Sequence, residues 1–257
     1  MDAETPKAAE LNLPQAFLLL ATNDTTGKPE IPVFALRTTL AGAILAELDL
    51  IGAIELQRKR VRATGTAPAT DLQHELELIR GKSRPHAPKR WVSMLEGRAE
   101  VQRVYEAMAS LGIVEHVGEK HLGRFRAVRY PEKDHAPEAA LLEKIQAALS
   151  GAPSDLEAPD TTATDAGTTD VKTTDAVASD ATKTDSNVPA AKPDSTIPDA
   201  RTIVLIALLQ AAGMLGKLFP AADLTRATEL SKDYWPSRAV EDELRMIRLA
   251  EQEAANL

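Results

Sequence analysis

The chain has 257 residues, 44% of them hydrophobic, with four Phe, two Trp, three Tyr and no Cys. Without cysteine there is no disulfide framework, no thiol nucleophile and no cysteine-ligated zinc. The formal charge of −8 is unevenly placed: residues 1–150 hold 20 basic and 20 acidic side chains, residues 151–199 hold 3 and 10, and residues 200–257 hold 7 and 8. The acidity therefore belongs to the middle segment. The balanced remainder disfavours nucleic-acid binding by bulk charge but allows a local basic patch.

The opening MDAETPKAAE is polar and acidic, without the basic-then-apolar layout of a secretory signal. Residues 1–10 are expected to be a flexible terminus, and the protein to be cytoplasmic. Asn12 is placed to cap a helix in which Leu13, Ala16, Phe17 and Leu20 follow the i, i+3, i+4, i+7 stripe. Asn23 to Lys28 is a polar turn. Val33 to Leu50 is apolar on most faces and predicts a central helix, stopped by Gly52. Few aromatic side chains and many aliphatic ones suit helix packed on helix.

AIEL (53–56) and VRAT (61–64) predict a small hairpin turning at Gln57 to Arg60. Thr70 and Gln73 form a capping-box pair opening a helix with Leu72, Leu76 and Ile79 inward, and Glu75 and Glu77 are expected as surface charges. Pro85 and Pro88 mark a turn into a helix bearing Trp91, Met94 and Leu95. Arg98 to Leu111 is helical and ends at Gly112. IVEHV (113–117) and RFRAVRY (124–130) predict a second hairpin, and 137–149 another helix.

Residues 151–199 then carry Asp155, Asp160, Asp165, Asp170, Asp175, Asp180 and Asp185 among Thr, Ala, Ser and Pro. A recurrence every fifth residue fits neither helix nor strand. With almost no large apolar side chains to offset its ordering entropy, this segment is expected to be a disordered acidic linker. Helices are predicted near 200–218, 221–232 and 237–254. The most apolar run, 203–216, is shorter than the roughly 20 residues a bilayer requires and predicts a buried core helix. The expected architecture is mainly α: one helical domain built from 11–150 and 200–254, with small edge hairpins and 151–199 inserted as linker.

Glu115, His116, Glu119 and His121 lie close in sequence, but on a strand Glu115 and His116 point to opposite faces and the others sit on a tip, which predicts a solvated turn. Ser93 and Ser110 have no nucleophile-elbow context, and no glycine-rich loop follows a strand ahead of a helix. No catalytic residue, metal or cofactor is expected. The remaining signal is basic: Arg37, Arg58, Lys59, Arg60, Arg62, Lys82, Arg84, Lys89, Arg90, Arg98, Arg103, Arg124, Arg126 and Arg129. Guanidinium groups suit phosphate through paired hydrogen bonds. One pattern occurs twice, a helix, a glycine, then a strand and a basic return strand, at LAELDLIGAIELQRKRVRA and EAMASLGIVEHVGEKHLGRFRAVR. This is the local grammar of winged-helix units, so a nucleic-acid binder is one alternative, and a lipid-independent protein-binding scaffold another.

LNLPQAFLLLATNDTTGK, LAGAILAELDLIGAIEL, APATD, WVSMLEG, ASLGIV and RTIVLIALLQAAGML, in this order, resemble the Golgi phosphoprotein 3 family across 10–150 and 200–250. The resemblance implies a bundle wrapped by amphipathic helices, without catalysis. It implies a peripheral membrane protein that binds phosphatidylinositol 4-phosphate and holds membrane-protein cargo, with no nucleic-acid partner. Where the family has a head-group Trp this chain has Pro32, and where it has an Arg before the helix glycine this chain has Ala41. Of two further family arginines, one matches Arg98 and the other falls on Val101. Arg37 lies one helical turn before Ala41 and Arg103 is a nearby spare, so Arg98, Arg37 and Arg103 are the candidate head-group residues. Leu122 is the one apolar residue at the tip GEKHLG, so membrane contact there is expected to be shallow. The family's basic N-terminal segment is missing. The Ala-rich, Cys-free composition fits a bacterial member, at the inner face of a membrane.

Overall fold

Helix α1 (Leu13–Leu20) starts where Asn12 and Gln15 cap one another: Asn12 Oδ1 accepts from the Gln15 N–H at 3.0 Å, and Gln15 Oε1 accepts from the Asn12 N–H at 3.1 Å. This reciprocal pair satisfies two donors that a helix start leaves open. The computed structural model describes residues 11–65, 68–118, 120–121, 124–125, 128–151, 198–232 and 234–255. Residues 1–10, nearly all of the expected linker, Leu122 and Arg126 lie outside this set. The described residues on either side of 152–197 belong to one compact unit.

The centre of the fold is α2 (Val33–Leu50), packed by α1, α4 (Pro88–Leu95), α7 (Ala200–Ala211) and α10 (Trp235–Ala255). Its apolar residues point in most directions, and 13 of its 18 residues are buried. A Cβ at Gly42 would stand 2.1 Å from Val240 Cγ2, so the absent side chain is what lets α10 approach. Glu47 is buried on the same helix. Its Oε2 accepts the Leu13 N–H at 2.8 Å, one of the donors at the start of α1, and forms an ion pair with Arg201 of α7.

Helices α2, α5 (Arg98–Ser110) and α7 end in the same way, with Gly52, Gly112 and Gly213 at φ +70°, +75° and +73°. In each, the next residue's N–H reaches back five positions: Ala53 to Leu48, Ile113 to Met108 and Met214 to Leu209. This closure satisfies terminal carbonyls and needs a residue that tolerates positive φ. The closure at Gly213 is also a correction. The helix expected over 200–218 breaks there into α7 and a single turn, α8 (Leu215–Leu218).

Strands β1 (Ile54–Gln57) and β2 (Arg60–Ala63) pair with Gln57 opposite Arg60, leaving Arg58 and Lys59 as a two-residue loop with φ 49° and 62°. Val61 is the inward residue and pairs with His86. Helix α3 (Gln73–Arg80) lacks the expected capping box: Thr70 Oγ1 accepts from the Leu72 N–H, and Leu72 stands at the cap. The second hairpin is present in pieces. Val114 pairs with Glu132 and Val117 with Arg129, with β3 (Lys120–His121) against β4 (Arg124–Phe125) toward its tip. Helix α6 (Ala136–Ser150) follows. Asp223 caps α9 (Leu224–Leu230), which is shorter than the expected 221–232. The architecture is mainly α with ten helices among the described residues, and no helix there is long and apolar enough to cross a membrane.

Candidate functional site

Arg37 stands one turn into α2, half-buried. The neighbouring Thr38 Oγ1 donates to Glu96 Oε2 at 2.9 Å, and Arg37 acts electrostatically on the same carboxyl. Glu96 ends α4 and Gly97 opens α5, so Arg98, the first residue of α5, is two positions from that contact and exposed. The turn that bears Arg37 and the segment that leads into Arg98 thus adjoin. One turn before Arg37, Val33 is 55% exposed and follows the exposed Pro32.

Arg103 is placed differently. Its Nη2 donates to Glu75 Oε1 at 2.6 Å and to Glu100 Oε1 at 3.1 Å. Five positions along a 3.6-residue helix turn Arg103 about 140° away from Arg98. Glu75, expected as a surface charge, is 4% exposed. Its burial next to α5 makes Arg103 a counter-ion, so a head group there would have to displace two carboxylates.

Glu100 and one further carboxylate, Glu243, complete this rim. Glu100 folds back over the start of α5, close enough that a Cβ at Gly97 would lie 1.9 Å from its Oε2. It occupies the position where a helix N-terminus would otherwise favour an external anion. Glu243 of α10 accepts from Ser93 Oγ at 3.3 Å and lies 3.5 Å from Lys89 Nζ. Burial raises the pKa of Glu96, opposed by the Thr38 bond, reinforced by Glu243 and opposed again by Arg37.

Of the sequence cluster at 115–121, His116 pairs with Glu106 of α5 at 2.8 Å and tilts against Tyr130, while Glu119 lies outside the described residues. Glu96 and Glu243 were not singled out from the sequence. They meet through contacts as far apart as 58 positions for Thr38 and Glu96 and 150 for Ser93 and Glu243.

No curated protein matches the chain. The sequence profile described as Golgi phosphoprotein 3 (GPP34) matches residues 13–247, from the first residue of α1 well into α10. A match over this much of the chain shows that it belongs to the Golgi phosphoprotein 3 family.

Proposed function

We propose that this is a non-enzymatic, peripheral membrane-surface protein that recognises an anionic phospholipid head group, phosphatidylinositol 4-phosphate or one like it, through Arg37 and Arg98. An adaptor role toward membrane-protein cargo would follow from the family. The main support is the Thr38–Glu96 hydrogen bond, which ties the turn bearing Arg37 to the chain just ahead of Arg98. Val33, exposed one turn from Arg37, adds an apolar neighbour to a cation, the combination an interfacial contact uses. Arg103 acts mainly as the partner of Glu75 in this scheme. Each cation near an anionic surface contributes about 1 kcal/mol, so binding is weak and salt-sensitive unless avidity raises it. The nucleic-acid alternative is disfavoured at its first candidate, because α2 is buried at 13 of 18 residues and cannot enter a groove.

The test is flotation with liposomes containing phosphatidylinositol 4-phosphate, against neutral liposomes, at low and high salt. The protein is expected to float with the charged vesicles at low salt and to be released by high salt. Arg37→Ala and Arg98→Ala are each expected to lower the apparent affinity about fivefold. Equal recovery with neutral lipid, or unchanged binding by Arg98→Ala, would overturn the proposal.

A further inference from the structure

On the side of α1 and α5 where the second hairpin returns, the turn after α1 is fastened to the chain leading into α6. The Tyr130 N–H donates to the Gly27 carbonyl at 3.1 Å and the Glu132 N–H to the Asp24 carbonyl at 2.8 Å. A Cβ at Gly27 would stand 2.3 Å from the Pro131 nitrogen, so the two segments are in direct backbone contact. His135 stands at the start of α6 and Glu138 in its first turn. Backbone hydrogen bonds therefore hold side chains from two distant stretches of sequence in one place.

The donor atoms of Asp24, Glu132 and His135 all lie within 4.8 Å of one another. Glu138 adds a third carboxyl within hydrogen-bonding reach of both Asp24 and Glu132. The Glu132 side chain is 2% exposed, and its Oε2 contacts His135 Nδ1. Its other oxygen, Oε1, is buried without a hydrogen-bond donor. Glu132 and Asp24 also line a hollow with Thr22, Tyr105 and Tyr130. The buried Glu132 oxygen, pressed among two other carboxyls, is satisfied either by a proton carried on Glu138 or by a cation that takes the proton's place.

We propose that Asp24, Glu132, His135 and Glu138 form a binding site for a divalent transition-metal cation such as zinc. One imidazole with carboxylate oxygens suits zinc better than magnesium or calcium, which favour oxygen alone. Ligand bonds of about 2.1 Å allow donor atoms to stand up to about 4.2 Å apart, so closing from 4.8 Å takes only small side-chain rotations. Asp24 and His135 are exposed and can rotate, while buried Glu132 supplies the fixed ligand. Such a cation would pin the α1–α2 turn to the start of α6. This departs from the sequence expectation of no metal, and Glu115 and His116, the described members of the 115–121 cluster, are not among these ligands.

The experiment is calorimetric titration of zinc into the full-length chain after chelator treatment, alongside Asp24→Asn, His135→Ala and His74→Ala. His74 is exposed on α3 and serves as a control for scattered surface binding. One zinc per chain is expected, with affinity at least about tenfold lower in Asp24→Asn and His135→Ala and unchanged in His74→Ala. Circular dichroism of the variants separates loss of ligand from loss of fold, and both altered positions are exposed enough for folding to survive. No saturable zinc binding by the parent chain, or equal affinity in His135→Ala, would overturn the proposal. Loss in His74→Ala as large as in His135→Ala would do the same.

Discussion

Two stretches share one local plan and play different parts in the molecule. In the first, α2 ends at Gly52 and feeds β1 and β2; in the second, α5 ends at Gly112 and feeds the strands that return at 129–132. The two glycines adopt nearly the same φ, and the residue after each reaches back to close the helix. Yet α2 is buried at 13 of 18 positions, while α5 buries only Val104, Tyr105 and Met108 of its 13. The stop is set by a few neighbouring residues, whereas location depends on how much of the helix circumference is apolar.

The largest expected effect tests the buried member. Arg201→Ala leaves the Glu47 carboxylate enclosed without its counter-ion and is expected to destabilise by about 3 kcal/mol in urea titration. The corresponding change on α5, Arg103→Ala, removes a guanidinium that is 44% exposed from Glu75. Glu75 is as enclosed as Glu47, and only the greater exposure of Arg103 lets water take part of the guanidinium's place, so this loss is expected to be about 2 kcal/mol. A loss as large as that of Arg201→Ala would mean that exposure of the cation does not set the difference between the two pairs. Next is Gly42→Ala, which forces Val240 and α10 outward and is expected to cost about 2 kcal/mol by thermal unfolding. A new Cβ at Gly52 meets nothing within 4 Å, so Gly52→Ala bears only the strain of its positive φ, about 1 kcal/mol. On α5, Tyr105→Phe loses the 2.6 Å hydroxyl contact with Thr22, worth about 1 kcal/mol. Thr22 keeps its bond to the Leu18 carbonyl, so no donor is stranded.

What the sequence made legible was what neighbouring residues decide. Asn12 marks a helix start, Gly52 and Gly112 mark helix ends, and an all-round apolar run from 33 to 50 marks a core helix. Where a local motif had a local competitor, the reading failed. Thr70 bonds the Leu72 N–H two residues on, and Gly213 closes α7 before the apolar run is finished. Pairings across the fold were not legible. Glu75 looks like any surface glutamate until Arg103, 28 positions away, folds against it. Arg37 and Arg98 could be selected by resemblance. The carboxylates of Glu96, Glu100 and Glu243 that set the charge around them could not, because no spacing announces that α4, α5 and α10 share a rim.

The smallest expected effect concerns the direction in which each helix's own carboxylate titrates. Burial raises the pKa of Asp49 near the end of α2, and the Trp235 Nε1–H bond at 3.2 Å only partly opposes it. Burial also pushes Glu106 of α5 upward, but hydrogen bonds from Tyr130 and His116 and the His116 charge outweigh it, so its pKa falls. A raised carboxyl holds its proton more tightly folded than unfolded, so its contribution to stability declines as pH rises from its unfolded pKa to its folded one. A lowered carboxyl does the reverse: its contribution is complete above the unfolded pKa and is lost as pH falls toward the folded one. Urea midpoints measured from pH 4 to 7 should therefore move apart. Relative to the parent chain, Asp49→Asn should gain stability toward pH 7 and Glu106→Gln should lose it. If both variants drift in the same direction, the solvent-facing hydrogen bonds of α5 are not holding its carboxylate in the charged form, and the electrostatic half of the contrast between the two helices fails.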